Sequence, residues 1–490
     1  MAEKPVEGIS LKALVDKENN RVIFAEADED FVDILLSFLT MPMGTIIRLV
    51  RSKRPAFGIG CMNNLYESIE NLDVLQFQTK ECKTMLLDPI NAAAAECKRL
   101  KFKIGEPLKY FICNSQNCTL SGYKLLSHYR DVICVCRGTM TSEIELHEKV
   151  QIKGRDFDAR DSGAFVKGLS RLIISDELEI MPASIETSLS LLSKLGVMDG
   201  TATEECNVNV GVDEVLTLLK CSLLSKTPLT ETLLKHNPVP ELGRVDFDQG
   251  SYIKSRIKGP ASNVCGKIRV KLIVSKSKNM VCFAEASEDF VSLLFSFLTV
   301  PLGYVVKEMH SGTSKGCITH LYNSVEELDA KQYLKSSKHK EMLLSPKLAP
   351  NFTYENHSLG IEENKHPPYY HAQNSYGYKC VVLDETLISS RELKVSTLNV
   401  MDPKCGVKGA TSGGFVTGPA NFTVTDNLVI TQLSPISCLS LLNKMKVLFS
   451  DVEEHFVHVG TEEALQLLVA SFVSESALTN AFLREPNPEY

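Results

Sequence analysis

The segment Arg21-Val-Ile-Phe-Ala-Glu-Ala-Asp-Glu-Asp-Phe31, followed by Ser37-Phe-Leu-Thr-Met-Pro-Met-Gly44, decides the fold because it occurs twice. The second copy reads Val281-Cys-Phe-Ala-Glu-Ala-Ser-Glu-Asp-Phe290 and then Ser296-Phe-Leu-Thr-Val-Pro-Leu-Gly303. Residues 11–50 align without a gap with residues 270–309, and about half of the aligned positions are identical. Shared composition does not produce this level of identity, so the sequence predicts a long internal duplication.

Composition indicates an ordinary globular protein with several domains. The chain has 490 residues, too many for one hydrophobic core by the usual size range of domains. Its net charge of -7 lacks the basic excess typical of nucleic-acid binding, so nucleic acid is not expected as a partner. The longest uncharged run, residues 290–306, contains Pro301 and Gly303 and is too short to span a membrane.

Cysteine usage indicates a reducing compartment. The 15 cysteines are an odd number and are spread over most of the chain. Without a secretory context such cysteines are expected to be reduced thiols. The stretch Met1-Ala-Glu-Lys-Pro5 has neither the apolar core of a secretion signal nor the pattern of an organelle transit peptide. We therefore expect an intracellular protein, in the cytoplasm or also in the nucleus.

The duplication predicts two related halves joined by a linker. The first half is expected at residues 1–235, with a cysteine-containing insert at about 105–150. A linker rich in proline and glycine follows at residues 236–267. The second half is expected at residues 268–490, where a polar stretch at about 351–378 predicts a long loop.

Each half is predicted to carry a β-hairpin and helix unit at both of its ends. Near the start, two β-prone runs precede a helix that Asp28 can cap. Near the end, the runs around residues 172–180 and 422–430 precede amphipathic helices. The fold class is therefore α+β with two tandem homologous halves. The four units could share one ancestor, or they could share only their secondary structure.

The repeated motifs, Phe-Ala-Glu-Ala-x-Glu-Asp-Phe-Val and Ser-Phe-Leu-Thr-x-Pro-x-Gly, resemble a plant-expanded family, number 674 among the domains of unknown function. The resemblance covers nearly the whole chain, including Leu-Tyr-x-Ser-x-Glu-x-Leu-Asp at residues 65–73 and 321–329. It implies a plant intracellular protein and supplies no catalytic residue. Members often carry a cysteine pair followed by a Cys-x-Cys-Gly turn. Here the corresponding turn is Cys134-Val-Cys136-Arg137-Gly138, with Arg137 in the place of the glycine of that pattern.

The insert contains the best candidate for a metal site. Cys113 and Cys118 are followed by Cys134 and Cys136, and four thiolates can hold one structural zinc ion in a closed tetrahedral site. The spacing differs from the usual Cys-x2-Cys pairs. The competing interpretation is four reduced cysteines on neighbouring strands, because cysteine is among the most buried residue types. No cofactor other than zinc is predicted.

Other polar residues have simpler explanations than catalysis. Glu29 and Asp30 lie in a predicted first helical turn, where negative charge is favourable. Glu26 and its counterpart Glu285 lack that explanation and are candidates for buried anchors, for partner binding or for an acidic enzyme site between the halves. The histidines at positions 357, 366 and 371 match no metal-binding pattern and are interpreted as loop residues.

Three functional hypotheses remain open. The first is a non-catalytic intracellular binding or scaffold protein with protein partners, because neither copy contains a nucleotide loop, a catalytic metal motif or a nucleophile signature. The second is an enzyme with an acidic site in a cleft between the halves. The third is a zinc-stabilised nucleic-acid or regulatory module at residues 105–150. Its basic residues and aromatic residues are Lys109, Lys124, His128, Arg130, Tyr110, Phe111, Tyr123 and Tyr129.

Overall fold

A computed structural model describes most of the chain. The described residues are 8–51, 58–120, 124–147, 163–168, 171–234, 268–309, 315–355, 357–373, 379–383, 394–405 and 413–483. The predicted linker at residues 236–267 lies outside them. Helices and antiparallel sheets both occur, which confirms the α+β class.

The strands and helices follow one another in two similar series, at residues 8–234 and 268–483, which are called the first and the second half below. The strands are β1 (Ile9–Asp16), β2 (Arg21–Ala27), β3 (Phe111–Ile112), β4 (Leu125–Leu126), β5 (Ser142–Glu143), β6 (Leu146–His147), β7 (Leu172–Ser175), β8 (Ile180–Pro182), β9 (Thr203–Val210), β10 (Ile268–Ser275), β11 (Met280–Ser287), β12 (Tyr369–Gln373), β13 (Lys379–Val382), β14 (Lys394–Val400), β15 (Asn421–Thr425), β16 (Ile430–Gln432) and β17 (Val452–Val459). The α-helices are α1 (Glu29–Thr40), α2 (Met43–Val50), α3 (Met62–Asn71), α4 (Lys80–Leu87), α5 (Ala94–Cys97), α6 (Gln116–Leu120), α7 (Ile185–Lys194), α8 (Val212–Ser222), α9 (Pro228–Leu233), α10 (Glu288–Ser296), α11 (Leu302–Glu308), α12 (Ile318–Glu327), α13 (Ser337–Leu344), α14 (Pro435–Lys444), α15 (Thr461–Val473) and α16 (Ala477–Phe482).

Two five-stranded sheets have the same order of strands. The order is β8-β7-β2-β1-β9 in the first and β16-β15-β11-β10-β17 in the second. Each sheet has a register shift at the aligned position, between Leu14 and Val15 in the first and between Ile273 and Val274 in the second. The predicted hairpin and helix units occur as β1-β2-α1, β7-β8-α7, β10-β11-α10 and β15-β16-α14.

Helix α1 begins at the capping residue that the sequence predicted. The Asp28 carboxylate accepts a hydrogen bond of 3.3 Å from the backbone N–H of Phe31, and two acidic residues occupy the first turn. Every residue from Phe31 to Thr40 is buried. The helix is covered on all sides because it packs against α8 of its own half and against α11, α12 and α13 of the other half.

The two halves share one hydrophobic core, and each half packs one helix against an edge strand of the other. Helix α3 of the first half contacts β16 of the second, and helix α12 of the second half contacts β8 of the first. The N–H of Ile430 donates to the Ser68 Oγ, and the N–H of Ile180 donates to the Ser324 Oγ, both at 2.9 Å. Each half therefore completes the packing of the other, and the largest apolar cluster contains residues from both.

The outer face of each sheet carries one helix. Helix α7 covers Phe24 and Ile173 on the first sheet, and helix α14 covers Ile273 and Phe283 on the second. The inner faces of both sheets pack into the shared core. Within the described residues, every helix is too short or too polar to cross a membrane.

A third sheet joins the insert to the second half. Its order is β4-β14-β12-β13-β6, so β4 and β6 of the insert form its two edges in parallel pairs with β14 and β13. The loop predicted at residues 351–378 differs at its end, because residues 369–373 form β12 at the centre of this sheet. Tyr110 and Leu126 of the insert pack with Tyr369 and Leu398 of the second half in a small separate core.

Candidate metal centre

The four cysteines of the insert are positioned by short, local elements. Cys113 follows β3 directly, and Cys118 lies in helix α6. Cys134 and Cys136 lie in a turn that is closed by a β-bridge between Ile133 and Thr139. These local contacts explain why spacing along the sequence was sufficient to group the four residues.

The structure brings all four sulfur atoms into one cluster. Any two of them lie within 4.8 Å of each other. The Sγ atoms of Cys113 and Cys136 are 3.4 Å apart, and those of Cys118 and Cys134 are 3.5 Å apart. These distances are well beyond a disulfide bond of about 2.05 Å. The thirteen cysteines whose side chains the structure describes are all free thiols. The cluster could therefore hold a metal ion.

Backbone N–H groups point at two of the sulfur atoms. The N–H of Ser115 donates to the Cys113 Sγ, and the N–H of Gly138 donates to the Cys136 Sγ, both at 3.4 Å. Such bonds stabilise negative charge on a thiolate ligand. A Cβ atom at Gly138 would lie 2.9 Å from the Cys113 Sγ, so the turn approaches the sulfur atoms too closely for a larger residue.

The turn from Cys134 to Gly138 holds its fourth residue, Arg137, in a backbone conformation that favours glycine. Arg137 has a φ of 66°, in the left-handed region that glycine adopts most easily. Its N–H donates to the Cys134 carbonyl at 2.8 Å, and the Cys134 N–H donates to the Gly138 carbonyl at 2.8 Å. Arg137 thus adopts the conformation suited to the Cys-x-Cys-Gly pattern although it replaces the glycine.

The cluster favours ionisation of one thiol. Burial would raise the pKa of Cys136, but hydrogen bonds from the Gly138 N–H and from neighbouring thiols outweigh it and lower this pKa to about 6. Burial and neighbouring thiols raise the pKa of Cys118, and burial raises that of Cys113. The thiolate is the form of cysteine that binds a metal ion.

Comparison with known protein families identifies the chain. A sequence model for a family described as protein of unknown function (DUF674) matches residues 6–462, nearly the whole chain. The chain belongs to the DUF674 family. The resemblance found in the repeated motifs is thereby confirmed. No curated protein matches this DUF674 chain, and no solved structure matches it. The description of the family names no activity, so function must be argued from the structure.

The two glutamates proposed for an acidic site lie far from the cysteine cluster in sequence and on the outer faces of different sheets. Glu26 is exposed on β2 and lies opposite Lys12 of β1. Glu285 occupies the aligned position on β11 and is 3.0 Å from the Lys271 Nζ, which is also 3.0 Å from Glu454. Cross-strand ion pairs of this kind are common on exposed sheet faces and account for Glu285. Lys12 lies opposite Glu26 but forms its ion pair, at 2.8 Å, with Glu205.

The aromatic residues proposed for nucleic-acid stacking are buried. Tyr110, Phe111 and Tyr129 are all less than 9% exposed and belong to the hydrophobic clusters. Tyr123 lies outside the described residues. Buried rings cannot stack on nucleic-acid bases, so the aromatic part of this hypothesis has no support in the described structure.

Sequence reasoning missed two groups of residues that come together only in the fold. His128 of the insert stacks on His366 of the second half with ring centroids 5.8 Å apart, and His371 is buried in β12 rather than placed in a loop. Glu177, Glu179 and His320 also lie close enough to share a metal ion. Lys194 pairs with both of these glutamates, so ion pairing already accounts for them. The members of each group lie far apart in sequence, so no local sequence pattern predicts that they come together.

Proposed function

We propose that this DUF674 protein is a non-catalytic binding or scaffold protein in which one structural Zn²⁺ fastens the insert to the rest of the fold. The observation that carries the zinc assignment is the closed cluster of four sulfur atoms, all within 4.8 Å of one another. A tetrahedral ion with Zn–S bonds of about 2.3 Å places its sulfur ligands about 3.8 Å apart, close to the separations in the cluster. Four thiolates leave no open coordination position, so the ion would be structural.

The position of the cluster supports a fastening role. Cys113 and Cys134 are buried in the core that both halves share. The strands in the described part of the insert have two residues each, and two of them, β4 and β6, pair with β14 and β13 of the second half. A small module with little regular structure gains folding free energy from a bound metal ion. Zinc would thereby stabilise the sheet that joins the insert to the second half.

Two exposed apolar surfaces support protein partners. Ile185, Leu189 and Met198 lie on and after helix α7, and Met198 is 93% exposed. Ile436, Leu448 and Phe449 are exposed on and after helix α14. Exposed apolar residues grouped in this way are typical of protein interaction sites. The thirteen free cysteines are consistent with a reducing compartment such as the cytoplasm.

The zinc assignment is tested by elemental mass spectrometry of protein purified without chelator. We expect one zinc ion per chain in the wild type and none in the double variant Cys134→Ser, Cys136→Ser. A matched double variant, Cys206→Ser, Cys405→Ser, removes two partly exposed cysteines outside the cluster and should retain the zinc. A well-folded wild type without zinc, or a cluster variant that keeps it, would refute the assignment.

The scaffold role is tested by proximity labelling in cells with wild type and with the double variant Leu448→Glu, Phe449→Glu. Both side chains are exposed, so the variant should fold normally. We expect a defined subset of labelled proteins to disappear with the variant. An unchanged labelling pattern would contradict a partner at this surface.

A further inference from the structure

A cavity of about 740 Å³ lies between the insert and the rest of the first half. Its walls come from helix α2, from residues 88–98, from residues 103–111 and from residues 128–130. None of the four clustered cysteines lines it. The volume falls within the range of sites that hold small molecules. Ile90, Ile104 and Leu108 contribute apolar surface to its walls.

The second half has a large side chain where the first half leaves this space. Thr45 lines the cavity, and its hydroxyl donates to the Pro89 carbonyl at 3.1 Å. The aligned residue of helix α11 is Tyr304, whose ring is buried and whose hydroxyl donates to the Leu359 carbonyl at 3.4 Å. A threonine in place of a tyrosine therefore leaves room in the first half.

The charged residues around the cavity favour an anion. Five lining residues are Lys or Arg and three are Asp or Glu, so positive charge is in excess. The five cationic residues are Arg48, Lys98, Lys103, Lys109 and Arg130. Lys103, Lys109 and Arg130 are exposed and can attract an anion from solution. The cation of helix α11 that aligns with Arg48 is Lys307, whose Nζ donates to the Ser345 Oγ at 2.9 Å.

Two polar groups in the cavity wall have unused hydrogen-bonding capacity. The Arg48 Nη2 is 2.9 Å from the Asp88 carboxylate, but its Nε is buried and donates to none of the described residues. Tyr129 is 8% exposed, and its hydroxyl lies near the backbone of Ile90 without forming a hydrogen bond of normal geometry with any described residue. Buried donors without acceptors are costly, and a ligand oxygen can satisfy them.

We propose that this cavity binds a small organic anion, whose apolar body contacts Ile90, Ile104 and Leu108 and whose phosphate or carboxylate group accepts hydrogen bonds from Arg48 and Tyr129. The planar guanidinium of arginine is suited to both anionic groups because it can donate two parallel hydrogen bonds. The site goes beyond the proposed zinc and scaffold roles, since neither requires a ligand in this cavity.

The proposal is tested with 1-anilinonaphthalene-8-sulfonate, an aromatic anion whose fluorescence rises in apolar sites. We expect the full-length, metal-loaded protein to bind one equivalent. The Thr45→Tyr variant, which copies Tyr304, should fill the cavity and abolish that binding. The Arg48→Met variant should bind roughly tenfold or more weakly, because it loses a charge-assisted hydrogen bond. The control Lys307→Met changes the aligned cation of the second half and should bind as the wild type does.

Competition identifies the anionic group. Phenyl phosphate and benzoate are each titrated against the bound probe, and the stronger competitor shows whether the site prefers phosphate or carboxylate. Thermal unfolding of every variant is recorded, because probe binding to a partly unfolded protein would not depend on the cavity. Equal binding by wild type and a folded Thr45→Tyr variant, or no displacement by either competitor, would overturn the proposal.

Discussion

Pro42 and Pro301, 259 residues apart, form an antiparallel β-bridge at the contact between the two halves. The N–H of Met43 donates to the Val300 carbonyl at 3.0 Å, and the N–H of Leu302 donates to the Met41 carbonyl at 2.9 Å. Both prolines belong to the repeated motif Ser-Phe-Leu-Thr-x-Pro-x-Gly, so the two copies of the motif contact each other directly. In an antiparallel pair of this type the neighbouring residues donate both bonds, so the pairing tolerates two prolines that lack an N–H.

The glycines of this motif allow the close contact between the halves. A Cβ atom at Gly303 would lie 2.8 Å from the Leu343 carbonyl oxygen and 2.9 Å from that of Leu39 in the other half. We expect Gly303→Ala to lower the free energy of unfolding by about 1–3 kcal/mol, because backbone must shift to accommodate the methyl group. Urea denaturation measures the change. Gly200→Ala, where nothing lies within 4 Å, is the control and should change stability little.

The hydrogen bonds that helices α3 and α12 form with the opposite half predict a second effect on the free energy of unfolding. Replacing Ser68 by Ala leaves the buried N–H of Ile430 without its acceptor and should cost about 1–3 kcal/mol. Ser324→Ala should have a similar effect through Ile180. The control is Ser188→Ala, since its hydroxyl bonds only to the carbonyl four residues earlier on an exposed helix. Equal denaturation midpoints for Ser68→Ala and Ser188→Ala would show that these bonds between the halves contribute nothing.

Local features of the fold could be predicted from sequence. The hairpins and helix starts were predictable because strand runs, capping residues and acidic first turns are all properties of neighbouring residues. The cysteine cluster was predictable for the same reason, since Cys113 and Cys136 are only 23 residues apart. The close spacing of these four cysteines also distinguished them from the other cysteines, which occur singly along the sequence.

The contacts between the halves were not predictable in this way. Ser68 reads as an ordinary residue of a surface helix, and nothing near it in sequence indicates that it bonds to a strand 362 residues away. The polar stretch that ends in β12 reads as a loop because its strand partners lie in other segments, β13 and β14. Nothing near Gly303 in sequence indicates that it lies against the backbone of Leu39 in the other half.

The buried carboxyl of Asp33 predicts a pH-dependent stability. It accepts hydrogen bonds from the N–H groups of Ala164, Phe165 and Val166. Burial raises the pKa of Asp33 from 3.8 to about 6, although these bonds and Lys335 oppose the shift. Between about pH 4 and pH 6 the folded protein keeps a proton that the unfolded chain has lost. Stability therefore falls as pH rises through this window, by up to about 3 kcal/mol.

The aligned residue of the second half provides a matched variant for this pH dependence. Ser292 occupies the position of Asp33 and accepts the N–H of Val416 at 3.2 Å. Asp33→Ser removes the titrating group, so the difference in free energy of unfolding between wild type and variant should shrink from pH 4 to pH 7. A difference that stays constant or grows with pH would contradict the raised pKa.

The left-handed conformation of Arg137 predicts a stabilising substitution. In this conformation a residue other than glycine destabilises the folded protein by about 1–2 kcal/mol, and glycine removes that cost. Part of the gain in stability is lost again because glycine gives the unfolded chain more conformational freedom. We expect Arg137→Gly to raise the free energy of unfolding of the metal-loaded protein by up to about 1 kcal/mol. The control Arg130→Gly lies outside the left-handed region and should lower it. Thermal denaturation of both variants at equal metal content decides between these outcomes.

Removal of metal should loosen one sheet before the others. If zinc fastens the insert, chelation should first reduce hydrogen-exchange protection in the pairs of β4 with β14 and of β6 with β13. The hairpin of β10 and β11 lies in another sheet of the same molecule and serves as the internal control. Its protection should stay unchanged at chelator concentrations that strip the metal. Loss of all metal with full protection of β4 and β6 would show that the ion does not hold the insert, whereas simultaneous loss in every sheet would show that it stabilises the whole core.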